Sequence, residues 1–197
     1  MKPWFYAFAK AVMRVVFAIF YPLKIVGAEN LPGSGAAILC GNHVSLLDPL
    51  AAGVAVKRRI RFMAKKELFG VPAVRWCVRA LGAFPVDRGN ADMAAVRTSL
   101  AILKEGGVLG IFPQGGRDTA GNRAMESGVS LIALKSGAPV VPMRFLKRFK
   151  PFRRNTLIIG APLDLSAFDL RGGSEALRQA TQAIEGAVAS LTAPGEK

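Results

Sequence analysis

The chain has 197 residues, enough for one domain with a sizeable core, and 51% of them are hydrophobic, which excludes a disordered protein. Its net charge of +14 is unevenly spread: residues 1–154 hold 24 Lys and Arg against 8 Asp and Glu, and residues 155–197 hold 3 against 5. A chain that is both basic and apolar favours an anionic partner with an apolar part, such as an anionic bilayer surface.

Two other partner classes lack support in the sequence. No helix-turn-helix, zinc-finger or RNA-recognition pattern accompanies the positive charge, so we expect no nucleic acid partner; the alternative is that many of these cations only solvate the surface. Cys40 and Cys77 stand far apart, which excludes a cysteine metal spacing and favours a reducing, cytosolic setting. The chain has one histidine, which excludes a histidine-rich zinc site, and we expect neither a metal nor a cofactor.

The N-terminal segment, residues 3–23, is rich in aromatic and β-branched residues and is interrupted by Lys10 and Arg14, four positions apart. Its uninterrupted apolar part, residues 15–23, is too short to span a bilayer and has no signal-peptide cleavage site after it. We predict that residues 1–23 form an amphipathic, membrane-associated helix with its aromatics buried and its cations toward lipid phosphates. Two alternatives remain: a helix packed on the core of the domain itself, which is compatible, and a tilted membrane span, which the two cations disfavour.

After this segment, apolar runs of strand length alternate with stretches of helical periodicity. The predicted strands are residues 24–27, 36–40, 60–64, 83–86, 108–112, 140–145 and 156–159. The predicted helices are residues 46–56, 71–81, 91–104, 127–135 and 174–191. This alternation predicts an α/β domain over residues 24–197, with a mostly parallel mixed sheet covered by helices on both faces.

The only histidine, His43, is followed five positions later by Asp48. Imidazole is the usual general base at neutral pH, and a carboxylate on its far nitrogen fixes the tautomer and stabilises the imidazolium. Positions five apart lie about 140° apart on a regular helix, so the pair needs a turn between them. We predict that Ser45 caps a helix, with His43 in the preceding loop and Asp48 in the first turn. The alternative is a histidine satisfied by the backbone beside a helix-start acid.

Polar residues also follow two other predicted strands, and parallel strands deliver such residues to one edge of the sheet. They are Asp87 and Arg88 after residues 83–86, and Gln114, Gly115, Gly116 and Arg117 after residues 108–112. Arginines give permanent bidentate contacts to phosphate, and a glycine pair lets backbone N–H groups approach an anion. Each signal has an ordinary alternative, since Asp87 and Arg88 can form a surface ion pair and Gly-Gly-Arg is common in loops.

The order and spacing of these motifs resemble the glycerolipid acyltransferases, which include the 1-acylglycerol-3-phosphate acyltransferases. The similar blocks are Asn-His-x-Ser-x-x-Asp-Pro at 42–49, Lys-Lys-Glu-Leu at 65–68 with Pro72, Gly-Ala-Phe-Pro-Val-Asp-Arg at 82–88, Phe-Pro-Gln-Gly-Gly-Arg at 112–117, and Ala-Pro-Val-Val-Pro at 138–142. The match spans roughly residues 24–160 with these blocks in the family's order, which makes the resemblance specific.

The resemblance implies a role for each block. His43 would deprotonate the free hydroxyl of a lysophospholipid and Asp48 would orient His43, with no covalent acyl-enzyme. Arg88 and Arg117 would hold the acceptor phosphate beside Gln114, Gly115 and Gly116. The acyl donor would be acyl-CoA or acyl carrier protein, and acylation of the sn-2 hydroxyl of 1-acylglycerol 3-phosphate would give phosphatidic acid in phospholipid biosynthesis. Such an enzyme is expected at the cytoplasmic face of the cell membrane as a peripheral or monotopic protein.

Three positions depart from the resembling pattern: Gln114 stands for a usual Glu, Gly116 for a usual Thr, and Glu126 for a frequent Lys. These changes leave His43 and Asp48 untouched and point to two alternatives. One is the same chemistry on another acceptor, such as a lyso-ornithine lipid, glycerol 3-phosphate or another lysophospholipid. The other is a non-catalytic relative that binds membranes or lipids.

An acyl chain needs an apolar groove, and several large apolar residues lie near the motifs. The candidates for lining it are Phe62, Leu68, Phe69, Trp76 and Leu81. The ordinary alternative is that most of them belong to the core.

Overall fold

The structure is a computed structural model that describes residues 3–87, 92–118 and 123–192. Within those ranges the strands are β1 (Leu23–Val26), β2 (Ala37–Gly41), β3 (Ile60–Lys65), β4 (Phe84–Val86), β5 (Val108–Ile111), β6 (Val140–Phe145) and β7 (Asn155–Ile159). The helices are α1 (Pro3–Phe20), α2 (Asp48–Ala55), α3 (Pro72–Ala80), α4 (Met93–Lys104), α5 (Gly128–Ser136) and α6 (Gly173–Ser190). All predicted elements are present, with ends shifted by a few residues at most.

The strands form one mixed sheet in the order β1-β7-β6-β2-β5-β3-β4. Strands β6, β2, β5, β3 and β4 are mutually parallel. Strand β7 is antiparallel to β6, and β1 is parallel to β7. The predicted class, a mostly parallel mixed sheet, is therefore confirmed.

Helices cover both faces of this sheet, as its central strand requires. Every residue of β2 is buried, with Ala37 and Leu39 on one face and Ile38 and Cys40 on the other. The first face packs against α1 and α2, and the second against α4, α5 and α6. A parallel strand that is covered on both sides is a continuous run of apolar residues. Residues 36–40 form such a run, and this pattern is what predicts β2.

The parallel pairing brings the polar loops to one edge of the sheet. Cys40 of β2 lies beside Ile111 of β5, so the residues that follow these two strands emerge next to each other. Gly110 on β5 leaves space in the same region for the ring of Phe62 on β3, because a Cβ at position 110 would clash with that ring. The missing side chain lets that ring lie flat on β5, where it stacks on Phe112 with 5.6 Å between centroids.

Helix α1 has two apolar stripes rather than one apolar and one polar face. One stripe packs on the core face of α2 and buries Tyr6 and Phe17. The other is exposed; we call it the outer stripe, and it consists of Trp4, Phe8, Val12, Val15 and Ile19. The expectation that Lys10 faces lipid phosphates is wrong, because its Nζ donates a hydrogen bond to the Val56 carbonyl beyond the end of α2. Among the described helices, α1 included, none has the length and apolar character needed to cross a membrane.

Candidate active site

The His43 and Asp48 side chains meet between β2 and α2. His43 lies in the loop after β2 and is 8% exposed, while Asp48 opens α2 and is 0% exposed. The two side chains are joined by a contact of 2.8 Å between Nδ1 and Oδ2. The contact that the spacing predicts is thus present, and it is shielded from solvent.

The turn that makes this contact is organised by Asp48 itself. Its Oδ2 also accepts hydrogen bonds from the backbone N–H groups of Val44 and Ser45, each at 2.7 Å. The helix begins at Asp48 with Leu47 at the N-cap position, so the prediction that Ser45 caps it is wrong. Ser45 Oγ instead accepts a hydrogen bond of 3.2 Å from the Leu47 N–H, within the turn. The carboxylate folds the loop back onto its own start, and this brings the imidazole within reach.

These hydrogen bonds determine which ring nitrogen is free. Oδ2 accepts two backbone N–H groups, and an ionised carboxylate has no proton to donate, so the proton between the side chains belongs to His43 Nδ1. In the neutral ring Nε2 is then the unprotonated acceptor, the form a general base needs. The ring is held flat against Phe112, with centroids 4.5 Å apart and an angle of 23° between planes.

A large apolar cavity begins at this imidazole. Its volume is about 500 Å³, and its walls come from α1, α2, β3 and the inner side of α3. The apolar side chains on its walls include Met13, Leu50, Val54, Phe62, Leu68, Val78, Leu81 and Phe112. His43 and Arg117 line the same cavity, so one space offers a base, a cation and room for a hydrocarbon chain.

The loop after β5 delivers Gln114, Gly115, Gly116 and Arg117 to the same region. Gln114 Oε1 accepts a hydrogen bond of 2.8 Å from the His43 backbone N–H. Gly115 has a φ of +64°, which disfavours any residue with a Cβ. The space beside Gly115 contains the Glu126 carboxylate, and the space beside Gly116 contains the Arg123 guanidinium. The anion-binding role predicted for the two glycines therefore stays a prediction.

The loop after β4 is described only at its ends, and Arg88 lies outside the described residues. Asp87, just before it, contacts Lys66 Nζ. Asp92, just after it, accepts hydrogen bonds from the N–H groups of Asp87 at 2.8 Å and Ala95 at 2.9 Å. These two N–H groups hold the pKa of the Asp92 carboxyl below its usual value. One carboxylate thus joins the end of β4 to the start of α4, across the segment that contains Arg88.

Sequence reasoning missed several features of the site. Of the five apolar residues expected in a groove, Phe62, Leu68 and Leu81 line the cavity, while Phe69 and Trp76 are not among its walls. The walls from α1, and from α2 beyond Pro49, carry no motif that identifies them; only their helical periodicity was available. In the part of the chain that the structure describes, no three His, Cys, Asp or Glu side chains cluster as a metal site would need.

Comparisons with known proteins agree with this arrangement. The sequence matches the family model described as Acyltransferase over residues 22–146, a range that begins after α1. It is 31% identical over 192 residues to the 1-acyl-sn-glycerol-3-phosphate acyltransferase of Bacillus subtilis, covering 94% of this chain and 96% of that protein. It is 32% identical over 136 residues to the protein of the same name from Streptococcus pneumoniae, covering 66% of this chain and 50% of the relative.

The fold is also similar to a solved structure. The crystal structure of the 1-acyl-sn-glycerophosphate (LPA) acyltransferase PlsC from Thermotoga maritima superposes with a TM-score of 0.67 at 26% sequence identity. The similarity covers 96% of this chain and 79% of that one.

Proposed function

Because the chain belongs to the Acyltransferase family, we propose that it transfers an acyl group from acyl-CoA or acyl carrier protein to the sn-2 hydroxyl of 1-acylglycerol 3-phosphate. The product is phosphatidic acid, a step of phospholipid biosynthesis. The observation that carries this proposal is the His43–Asp48 pair, with His43 opening onto an apolar cavity of about 500 Å³. The names of the relatives support the choice of acceptor.

In this reaction His43 is the general base and Asp48 its orienting partner. The acceptor hydroxyl attacks the thioester carbonyl while Nε2 takes its proton. The new C–O ester bond forms, the C–S bond breaks, and the proton passes from Nε2 to the leaving thiolate. Asp48 stabilises the imidazolium that exists between these two proton transfers. No acyl-enzyme intermediate is needed, because the base acts on the acceptor directly.

The acceptor phosphate is assigned to the cations at the sheet edge. Arg117 is exposed and lines the cavity together with His43, which supports its role as a phosphate contact. Arg88 is proposed as the second contact on its position after β4, with Gln114, Gly115 and Gly116 alongside. A cation on the phosphate places the hydroxyl of the same molecule toward His43, since both groups face one space.

We place the protein at the cytoplasmic face of the cell membrane as a peripheral or monotopic protein. The outer stripe of α1 is an apolar row on a helix whose opposite side already packs on the domain. Anionic lipid suits the net charge of +14. The cavity is lined in part by α1, so a docked helix brings the cavity to the bilayer that holds the lipid substrate.

The acceptor is tested by offering a panel to the purified protein. One acyl donor is supplied with 1-acylglycerol 3-phosphate, glycerol 3-phosphate, a lyso-ornithine lipid and other lysophospholipids, and the products are ranked by mass spectrometry. We expect 1-acylglycerol 3-phosphate to give the fastest turnover. A ranking that places it last rejects this acceptor, and absence of transfer to every acceptor favours the non-catalytic alternative.

Membrane docking is tested on the outer stripe in the full-length protein. Phe8→Ser, Val15→Ser and Ile19→Ser together should reduce binding to anionic vesicles by about tenfold or more, because binding scales with buried apolar area. Met93→Ser with Leu170→Ser is the matched control, since both side chains are exposed, Met93 at the start of α4 and Leu170 just before α6, and these two helices cover the opposite face of the sheet. Equal sedimentation of the stripe variant and the control would exclude docking through α1.

A further inference from the structure

Both backbone groups of His43, its N–H and its carbonyl, are hydrogen-bonded to the loop that follows β5. Its N–H donates to Gln114 Oε1 at 2.8 Å, and its carbonyl accepts from the Asp118 N–H at 2.7 Å. Asp48 holds the side chain of the same residue, through Nδ1. His43 therefore has three attachments, and the two on its backbone come from one five-residue stretch, residues 114–118, outside the His-Asp motif.

Gln114 and Asp118 are also joined to each other. Gln114 Nε2 donates to Asp118 Oδ2 at 3.1 Å and to the Arg123 carbonyl at 3.3 Å. The same Oδ2 accepts the Arg123 N–H at 2.9 Å, and Asp118 is only 8% exposed. Position 114 must then accept a hydrogen bond on one side and donate two on the other. An amide does both, whereas an ionised carboxylate can only accept.

We propose that Gln114 is a positioning residue for the transfer reaction, coupled to Asp118, and that this pair sets the orientation of the His43 peptide. The inference rests on the proposed role of His43 as the general base. It accounts for the amide at position 114: a carboxylate there would face the Asp118 carboxylate at about hydrogen-bond distance. Two like charges at that separation share one proton or move apart, and either response disturbs the peptide of the base.

Other charged groups face this loop and enter any pH dependence. The Glu126 carboxylate lies against Gly115, the Arg123 guanidinium against Gly116, and Arg117 lies on the cavity side. A pH effect is therefore assigned to position 114 only where a neutral substitution at position 118 removes it.

The test is a double-mutant cycle with Gln114→Glu, Asp118→Asn and the pair, plus Gln114→Met as a neutral control of similar shape. In Q114E we expect kcat to fall about tenfold or more, with KM for both substrates within about twofold of wild type, since the Gln114 amide bonds His43, Asp118 and Arg123 and is not among the walls of the cavity. D118N should stay within about threefold of wild type, because the asparagine oxygen can take both hydrogen bonds. Q114E with D118N should recover much of the loss, whereas Q114M should lose activity equally with either residue at 118.

The pH profile supplies a second reading that a general loss of structure would not give. The activity of Q114E relative to wild type should rise as pH falls from about 8 to about 6, because a shared proton restores the missing donor. D118N should abolish that rise. Q114M should show no such rise, and it keeps the test decisive if Q114E fails to fold.

Two results would overturn the inference. One is a Q114E enzyme as active as wild type; the other is losses in Q114E and D118N that simply multiply in the double variant. Both results can be distinguished from failure of the proposed mechanism, because His43→Ala tests the role of His43 as the base separately. If H43A keeps its activity, the base assignment is wrong; if H43A is inactive and Q114E is unaffected, only the positioning role is wrong.

Discussion

Asp48 directs three hydrogen-bond donors to one carboxylate oxygen and leaves the other, Oδ1, without a partner among the described residues. An asparagine in this place can set its oxygen where Oδ2 lies and its amide nitrogen in the unpartnered position. Asp48→Asn therefore keeps the acceptor that folds the turn and removes the charge. Asp48→Ala removes both, so the pair of variants separates the structural role of the carboxylate from its electrostatic role.

We predict that D48N lowers kcat by about 10²-fold and lowers the unfolding midpoint in urea less than D48A does. The reason is that a neutral amide cannot stabilise the imidazolium that forms during proton transfer. D48A should lose both activity and stability, because it leaves the N–H groups of Val44 and Ser45 without their acceptor. Steady-state kinetics and urea denaturation measure the two effects, and full activity in D48N would contradict the electrostatic role.

At this scale the sequence predicts the partners but not the geometry of the turn. His43 and Asp48 are identified by residue type and spacing, and the need for a turn between them follows from helix geometry. The choice of Ser45 as the cap fails because Asp48 accepts the N–H groups of Val44 and Ser45, which folds this segment into a turn, so that the helix begins only at Asp48. The hydrogen bonds of Gln114 cannot be predicted from the sequence, because Gln114 contacts His43 only when β2 and β5 lie side by side.

At the scale of elements, α3 offers a chemical reporter for the cavity. Cys77 on α3 is exposed and lines the cavity, whereas Cys40 on β2 is buried and burial raises the pKa of its thiol to about 12. Thiol reagents react through the thiolate, so Cys77 is the reactive cysteine and Cys40 is inert. A long alkyl group attached at Cys77 would fill the space assigned to the acyl chain.

We predict that dodecyl methanethiosulfonate adds one alkyl group per chain and abolishes acyl transfer, while the methyl reagent adds one group and inhibits less. Intact-protein mass spectrometry counts the groups, and an activity assay follows each reaction. Cys77→Ser is the matched control and should resist inhibition by both reagents. Full activity of a protein carrying the dodecyl group on Cys77 would show that the acyl chain lies elsewhere.

Helix α1 shows what the periodicity of apolar residues can predict and what it cannot. Its apolar residues predict an amphipathic helix; the helix is present, but it has two apolar stripes rather than one apolar and one polar face. Lys10 and Arg14 are both cations and lie four positions apart, yet Lys10 bonds the Val56 carbonyl and burial lowers the pKa of its amine. The sequence cannot separate them, because the choice depends on the angle at which α1 packs on α2.

At the scale of the whole molecule, two phenylalanines on one helix have opposite surroundings. Phe17 is 3% exposed in the core against β-strand and α2 residues, whereas Phe8 is 61% exposed on the outer stripe. Truncating a buried phenylalanine costs about 3–5 kcal/mol in the free energy of unfolding, and truncating an exposed one costs little.

We predict that Phe17→Ala lowers the free energy of unfolding by about 3–5 kcal/mol and that Phe8→Ala changes it by less than about 0.5 kcal/mol, both measured in urea without lipid. Phe8→Ala should instead weaken vesicle binding. Similar destabilisation by the two substitutions would mean that α1 packs on the domain in another orientation.

The global architecture is the part that sequence predicts best. Apolar runs such as residues 36–40 and 140–143 identify buried strands because parallel strands between two helical layers have no polar face. Convergence of the motifs then follows, since parallel neighbours end at one edge. The cavity is not predictable in this way, because it is the space left between α1, α2, β3 and α3, and no single segment encodes it.

The central claim is that His43 removes the proton from the acceptor hydroxyl, and His43→Ala tests it most directly. Acyl transfer to 1-acylglycerol 3-phosphate is followed by mass spectrometry of the product at saturating substrate, for wild type and for H43A with an unchanged unfolding midpoint. A general base of this kind contributes about 10²–10⁴ in rate, so kcat of H43A should fall by that factor. A fall of less than about tenfold would contradict the account.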